Sequence, residues 1–285
     1  MNKTLIEYIT EAKAKGVAVG HFNISNIEGF WAVVNAAKEL NVPVVIGVSE
    51  GERDFIGTRE IYALVKSYKE STGLPVFLNA DHTYSFERVK EVIDIGYDSV
   101  IFDGTELSFE ENVAITKKCV EYAKSVNSNI IIEAELGFIG KSSKVLDSVP
   151  EGVSRLTEVG ELVEFVKQTG IDMVAPAVGN IHGMVKTGEP ALNIERISEI
   201  SKSIAIPVVL HGASGNSNDD IKKAIASGIS LIHVSTELRV AYRSGLEKSL
   251  NDMPDEVSPY KYLKGAREEM QKVVTAKLRL FNNIV

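Results

Sequence analysis

Short apolar runs recur along the chain at fairly even intervals: Val17–Phe22, Pro43–Val48, Pro75–Ala80, Asp98–Phe102, Ile130–Glu135, Asp172–Ala177, Pro207–Leu210 and Ile229–Val234. They are rich in Val and Ile and mostly continuous rather than alternating, the pattern of parallel strands covered on both faces. Between them the apolar positions fall at helical spacing, over Ile27–Leu40, Arg59–Ser71, Phe86–Ile95, Glu110–Val126, Glu158–Thr169, Ile194–Ser203 and Asp219–Ser227. Gly16, Gly73, Gly96, Gly170 and Gly228 stand where helices would end, as left-handed caps before the next strand. Repeated strand–helix alternation predicts an α/β fold, a closed (β/α)8 TIM barrel, over an open doubly wound sheet of about six strands. Two additional C-terminal helices, Glu237–Leu250 and Tyr260–Phe281, exceed what a barrel needs and would either cover it or join two copies.

The 285 residues fit a single domain spanning 1–285, since such barrels occupy about 200 to 250 residues or more and no Pro/Gly/Ser-rich linker divides the chain. A hydrophobic fraction of 44% with 25% charged residues excludes a disordered chain. Net charge is −8 and no Lys/Arg cluster occurs, which argues against nucleic acid or an anionic membrane surface as partner. Any anionic ligand must then be held locally. The chain starts without a signal-peptide pattern, and no apolar run approaches the roughly 18 residues of a membrane span, so a cytoplasmic location is expected. Cys119, the one cysteine, lies in a helical pattern and reads as a core thiol.

Three of the five histidines stand at or just beyond the ends of predicted strands: His82 in Asn-Ala-Asp-His, His182 in Gly-Asn-Ile-His-Gly and His211 in Leu-His-Gly-Ala-Ser-Gly. A barrel brings its carboxyl-terminal strand ends to one rim, and a catalytic zinc commonly takes three protein ligands there and keeps one position open. Each histidine alone is more often a hydrogen-bonded structural residue, but three at equivalent places point to a metal. Asp81, pointing the other way from His82 along an extended segment, is either an acid/base group beside the metal or the N-cap of the next helix. Glu135 is an auxiliary metal ligand, a carboxylate holding a ligand imidazole, or a buried ion-pair partner. Gly212-Ala213-Ser214-Gly215, with Ser235 and Thr236, would offer backbone N–H groups to a phosphate, as loops after the last two barrel strands commonly do.

These residues resemble a known family over nearly the whole chain, the class II (zinc-dependent) fructose- and tagatose-bisphosphate aldolases. The resemblance runs through Gly20-His-Phe-Asn23, Gly47-Val-Ser49-Glu-Gly51, Asp81-His82, Phe109-Glu-Glu-Asn112-Val, Glu133-Ala-Glu-Leu-Gly137, Gly179-Asn-Ile-His-Gly183, His211-Gly-Ala-Ser-Gly215 and Ser235-Thr-Glu237. It implies a (β/α)8 barrel, a homodimer or homotetramer, and a zinc ion on His82, His182 and His211. That zinc would polarise the ketone of dihydroxyacetone phosphate and stabilise its enediolate in a reversible aldol cleavage. The resemblance also implies Asp81 as proton shuttle, Gly183, Gly212, Ser214 and Thr236 as phosphate contacts, Asn23 and Ser49 near the other end of the substrate, and a monovalent cation (Na+ or K+) near the phosphate.

Four positions depart from the family pattern. Asn79 stands where many relatives carry histidine, and Ser143 where a carboxylate is proposed to move the carbon-bound proton; Glu50, Glu52 and Glu106 are the candidate replacements. His233 replaces a ketose-contacting asparagine, and Ser235 occupies a position linked to the choice between sugar epimers. His21, on the first strand, is either a rim contact or structural. The resulting expectation is cleavage of fructose 1,6-bisphosphate to dihydroxyacetone phosphate and glyceraldehyde 3-phosphate. Tagatose 1,6-bisphosphate, a ketose 1-phosphate, a zinc hydrolase and a non-catalytic sugar-phosphate sensor are the alternatives. The loop from Phe138 to Ser154 is expected to move as a lid.

Overall fold

The structure, a computed structural model, describes residues 3–140, 144–149, 155–186 and 191–285. Eight parallel strands, β1 (Val19–Asn23), β2 (Val44–Val48), β3 (Val76–Thr83), β4 (Ser99–Phe102), β5 (Ile131–Leu136), β7 (Met173–Pro176), β9 (Val208–Leu210) and β10 (Ile229–Val234), close into a barrel. β6 (Val145–Leu146) and β8 (Met184–Val185), unforeseen in the sequence, form a separate parallel pair above it. Helix α1 (Leu5–Lys15) precedes the barrel; α2 (Ile27–Leu40), α3 (Glu50–Ile56), α4 (Thr58–Thr72), α5 (Phe86–Ile95), α6 (Phe109–Val126), α7 (Val159–Thr169), α8 (Ile194–Ser203) and α9 (Asn218–Ala226) lie between its strands. α10 (Thr236–Asp252) and α11 (Pro259–Phe281) follow the last strand. The closed barrel expected from the alternation is therefore present. None of the described helices is long and apolar enough to cross a membrane.

Gly16, Gly73, Gly96 and Gly170 cap their helices in the left-handed conformation, as expected. α11 lays Met270, Val274, Leu278 and Phe281 into the main core, where it packs against α2 and α10 and so covers the barrel. α1 plugs the end of the barrel where the strands begin: Leu5, Ile9 and Ala12 pack on Val19, Val45, Phe77, Ile131, Met173, Val209 and Leu231, which form a second, separate apolar cluster. Cys119 is fully buried in the main core, and burial pushes its thiol up to about 12.

Strand side chains alternate between faces, so two residues beyond that apolar layer the barrel interior carries His21, Asn79, Glu133 and His233, all buried. His21 is not a rim contact. It lies wholly inside, stacked flat on His233 at 3.5 Å between ring centroids, with its Nε2 donating to Asn79 Oδ1 at 3.1 Å. Gly47 on the neighbouring strand makes room for it, because a Cβ there would stand 2.0 Å from His21 Cε1. Gly47→Ala should therefore destabilise the fold by about 1–3 kcal/mol, as overpacking does. Denaturant unfolding would measure this, and adding His21→Ala should recover most of the loss; an unchanged midpoint in the single variant would contradict the fit described.

Candidate active site

One cavity of about 230 Å³ at the carboxyl ends of the strands gathers most of the residues singled out in the sequence. Asn23, Ser49, Asp81, His82, His182, Gly183, His211, Gly212, Ser214, His233, Ser235 and Thr236 all line it. Ala213 does not: it is buried behind the wall, and its N–H is donated to the His233 carbonyl at 3.2 Å. Glu135 lies buried beside the histidines.

Asp81 and His82 face the same space, against the alternation expected of an extended segment. A β-bulge is the reason. Ala80 pairs with Val100 and Thr83 with Phe102, so two residues of β3 oppose one of β4, and His82 takes a left-handed φ of 38°. The N-cap alternative for Asp81 also falls, since Ser85 caps α5 by accepting from the Arg88 N–H at 3.3 Å.

Donor atoms of His82, Glu135, His182 and His211 lie within 4.8 Å of one another. Each imidazole has one nitrogen committed to an oxygen: His82 Nδ1 to Asp103 Oδ2 at 2.9 Å, His182 Nδ1 to the Gly140 carbonyl at 2.7 Å, and His211 Nε2 to Glu133 Oε1 at 2.8 Å. Such partners set the tautomer and leave the other nitrogen free to ligate. Among the described residues, His211 Nδ1 and Glu135 Oε2, 3.5 Å apart, are buried without a hydrogen-bond partner. Unsatisfied buried polar atoms are costly, and a divalent cation would satisfy both. Three imidazoles and a carboxylate are also a donor set suited to zinc, so the residues fit the ion that the resemblance implies. Asp103 and Glu133 were not assigned from the sequence. The signal for Asp103 was present, since it directly follows the fourth strand.

Charge is unevenly distributed across this cluster. Burial lowers the His82 pKa, but Asp81, Asp103 and Glu135 outweigh it and raise it to about 9. His211 is likewise raised well above the ordinary value, against burial, by Glu133 and Glu135. Burial pushes Glu133 up and His182 down. Burial, reinforced by neighbouring imidazoles, holds His233 well below its usual value, and burial brings His21 to about 4. Asp81 sits well below the ordinary carboxylate range: burial opposes this, and His82, His233 and His21 overcome it. The Asp81 carboxylate is thus ionised, with Oδ2 accepting from Asn23 Nδ2 at 2.8 Å and Oδ1 3.7 Å from His233 Nδ1.

At the β10 side of the cavity, Ser214 Oγ accepts from the Ser235 and Glu237 N–H groups, each at 3.3 Å, beside the N-terminus of α10. Ser235 Oγ is buried without a partner among the described residues. Gly212 has φ +60°, and a Cβ there would meet the Ile181 carbonyl at 2.1 Å, so glycine lets the two loops close up beside His182. Of the three candidate carboxylates, Glu50 lines the cavity. Glu52 is buried and saturated: Oε2 accepts from Asn23 and from Ser49, and Oε1 from Arg239 Nη2 at 2.7 Å. Glu106 is not part of the lining. Ser143 lies outside the described residues, as do 141, 142 and 150–154 of the loop expected to move; its described part pairs β6 with β8 next to His182.

Comparison with known proteins points to one family. The family described as "Fructose-bisphosphate aldolase class-II" matches residues 3–284. Proteins of Staphylococcus epidermidis and Staphylococcus aureus, each named fructose-bisphosphate aldolase, are 40% identical over 278 residues, covering 96% of this chain and 95% of theirs. Among solved structures, the YdjI aldolase of Escherichia coli K12 is 30% identical with a TM-score of 0.84, covering 99% of this chain and 97% of that one.

Proposed function

Because the chain belongs to the class II fructose-bisphosphate aldolase family, whose members are carbon–carbon lyases, we propose that it reversibly cleaves fructose 1,6-bisphosphate to dihydroxyacetone phosphate and glyceraldehyde 3-phosphate. The carrying observation is the convergence of His82, His182, His211 and Glu135, two of their donor atoms unpartnered, beside an ionised Asp81 in one cavity. We take residues 1–285 as one catalytic domain. The names of the relatives favour the fructose sugar over tagatose.

His82, His182 and His211, with Glu135 as auxiliary ligand, would hold zinc, which when bound supplies Lewis-acid polarisation of the ketone oxygen. Asp81 accepts the proton of the hydroxyl on the carbon beyond the scissile bond, and as that bond breaks the hydroxyl carbon becomes the aldehyde. Asn23 fixes the Asp81 carboxylate from one side and His233 flanks it from the other. Gly183, Gly212 and Ser214, with Ser235 and Thr236 at the N-terminus of α10, hold the phosphate of the three-carbon fragment, where the helix dipole favours an anion. Ser49 stands toward the other end of the substrate. Glu50, the candidate carboxylate in the cavity wall, passes a proton taken from solvent to the carbon of the three-carbon fragment left by the broken bond, while the proton on Asp81 returns to solvent.

Steady-state cleavage of fructose and tagatose 1,6-bisphosphate, compared side by side with zinc-replete protein, tests this reading. Faster turnover of the fructose sugar supports it. A tagatose preference would reassign the sugar, and binding without multiple turnovers would sink the activity. Glu50→Gln should slow solvent-deuterium exchange into dihydroxyacetone phosphate about 100-fold or more, the lower range for general acid–base catalysis. Unchanged exchange, followed by NMR, would exclude Glu50 from that role.

A further inference from the structure

Arg53 is the largest side chain that is fully buried, and among the described residues no ion pair reaches it. Its guanidinium is held by neutral oxygens instead. Nη1 donates to the Val48 carbonyl at 2.7 Å and the Asp81 carbonyl at 3.1 Å, Nη2 donates to Thr83 Oγ1 at 3.1 Å, and Nε has no partner among the described residues. A buried cation with no carboxylate in direct contact, Glu50 and Asp81 acting on it only from a distance, is costly to keep, so a chain that keeps one has a use for its geometry. The oxygens it grips are informative. Asp81 and Thr83 flank His82, which carries the left-handed φ of 38° at the β3 bulge, a conformation that L side chains adopt only when their surroundings impose it. Relaxing the bulge would restore strand alternation and turn either Asp81 or His82 away from the cavity.

We infer that Arg53 is a positioning residue: from α3, its rigid fork clamps the backbone on both sides of His82 and locks the bulge that aims His82 and Asp81 into one cavity. Lysine cannot substitute, because a single ammonium lacks the planar fork that spans carbonyl and hydroxyl together. The inference rests on reading His82 as a metal ligand.

The test uses the full chain with Thr83→Val, which removes one accepting oxygen at nearly constant volume, together with Arg53→Lys and Arg53→Met. Zinc affinity by chelator competition, the visible spectrum of the cobalt-substituted protein and amide hydrogen exchange at residues 81–83 would be measured for each. Thr83→Val and Arg53→Lys are expected to keep wild-type circular dichroism. They should bind zinc about tenfold more weakly or worse, shift the cobalt bands, exchange faster at residues 81–83, and lose kcat with little change in KM. Folded variants with wild-type zinc affinity, cobalt spectrum and exchange would overturn the clamp. If Arg53→Met does not fold, the other two variants decide. Should the unaltered chain bind no zinc, the metal reading fails separately, and unchanged exchange at residues 81–83 in the variants would still overturn the clamp.

Discussion

Chelation of the divalent cation, or His182→Ala, should lower sugar-bisphosphate cleavage by about 1,000-fold or more, since Lewis-acid polarisation contributes several kcal/mol and each 1.36 kcal/mol is a factor of ten. His182 is the proposed ligand to remove because its loss disturbs least. His82 pairs with the part-buried Asp103 and His211 with the buried Glu133, carboxylates that would be left without these partners. Among the described residues, the second nitrogen of His182 meets only the Gly140 carbonyl, in a loop above the barrel. Thermal unfolding of the variant should therefore stay near wild type while its zinc content falls. Returning zinc should restore the chelated wild-type protein and leave His182→Ala impaired. Full turnover in excess chelator would remove the metal from the mechanism.

Asp81→Asn should reduce kcat by about 100- to 10,000-fold, the range for a positioned general acid–base group. The substitution conserves volume, and an amide can still meet Asn23, so KM and zinc content should change far less than kcat. What disappears is a carboxylate that its imidazole neighbours keep ionised and ready to accept a proton. A parallel fall in zinc content would assign Asp81 to holding the metal ligands, and retained turnover would pass proton transfer to another group. Steady-state kinetics with metal analysis on the same sample separates these outcomes.

Much of the architecture could be read directly from the chain. Continuous Val/Ile runs alternating with helical spacing pointed to a parallel barrel because burial on both faces leaves a local, periodic trace. His82, His182 and His211 stood out because each ends or follows such a run, and closure brings strand ends together whatever their separation in sequence. Where the chemistry depended on contacts between strands, local pattern failed. Alternation along β3 placed Asp81 and His82 on opposite sides, and only the two-against-one pairing with β4 turns them to the same cavity. Ala213 sat in a plausible phosphate loop, yet its N–H serves the barrel.

The sequence by itself therefore determined the barrel and which strand-end histidines and glycine-rich loop would face one cavity, because periodicity and strand ends are properties of neighbouring residues. Only the tertiary structure decided which oxygens orient the imidazoles, that Gly47 exists to admit His21, and that a buried Arg53 grips the backbone around His82. Those are distances between residues far apart in the chain, and they take values only once the barrel has closed.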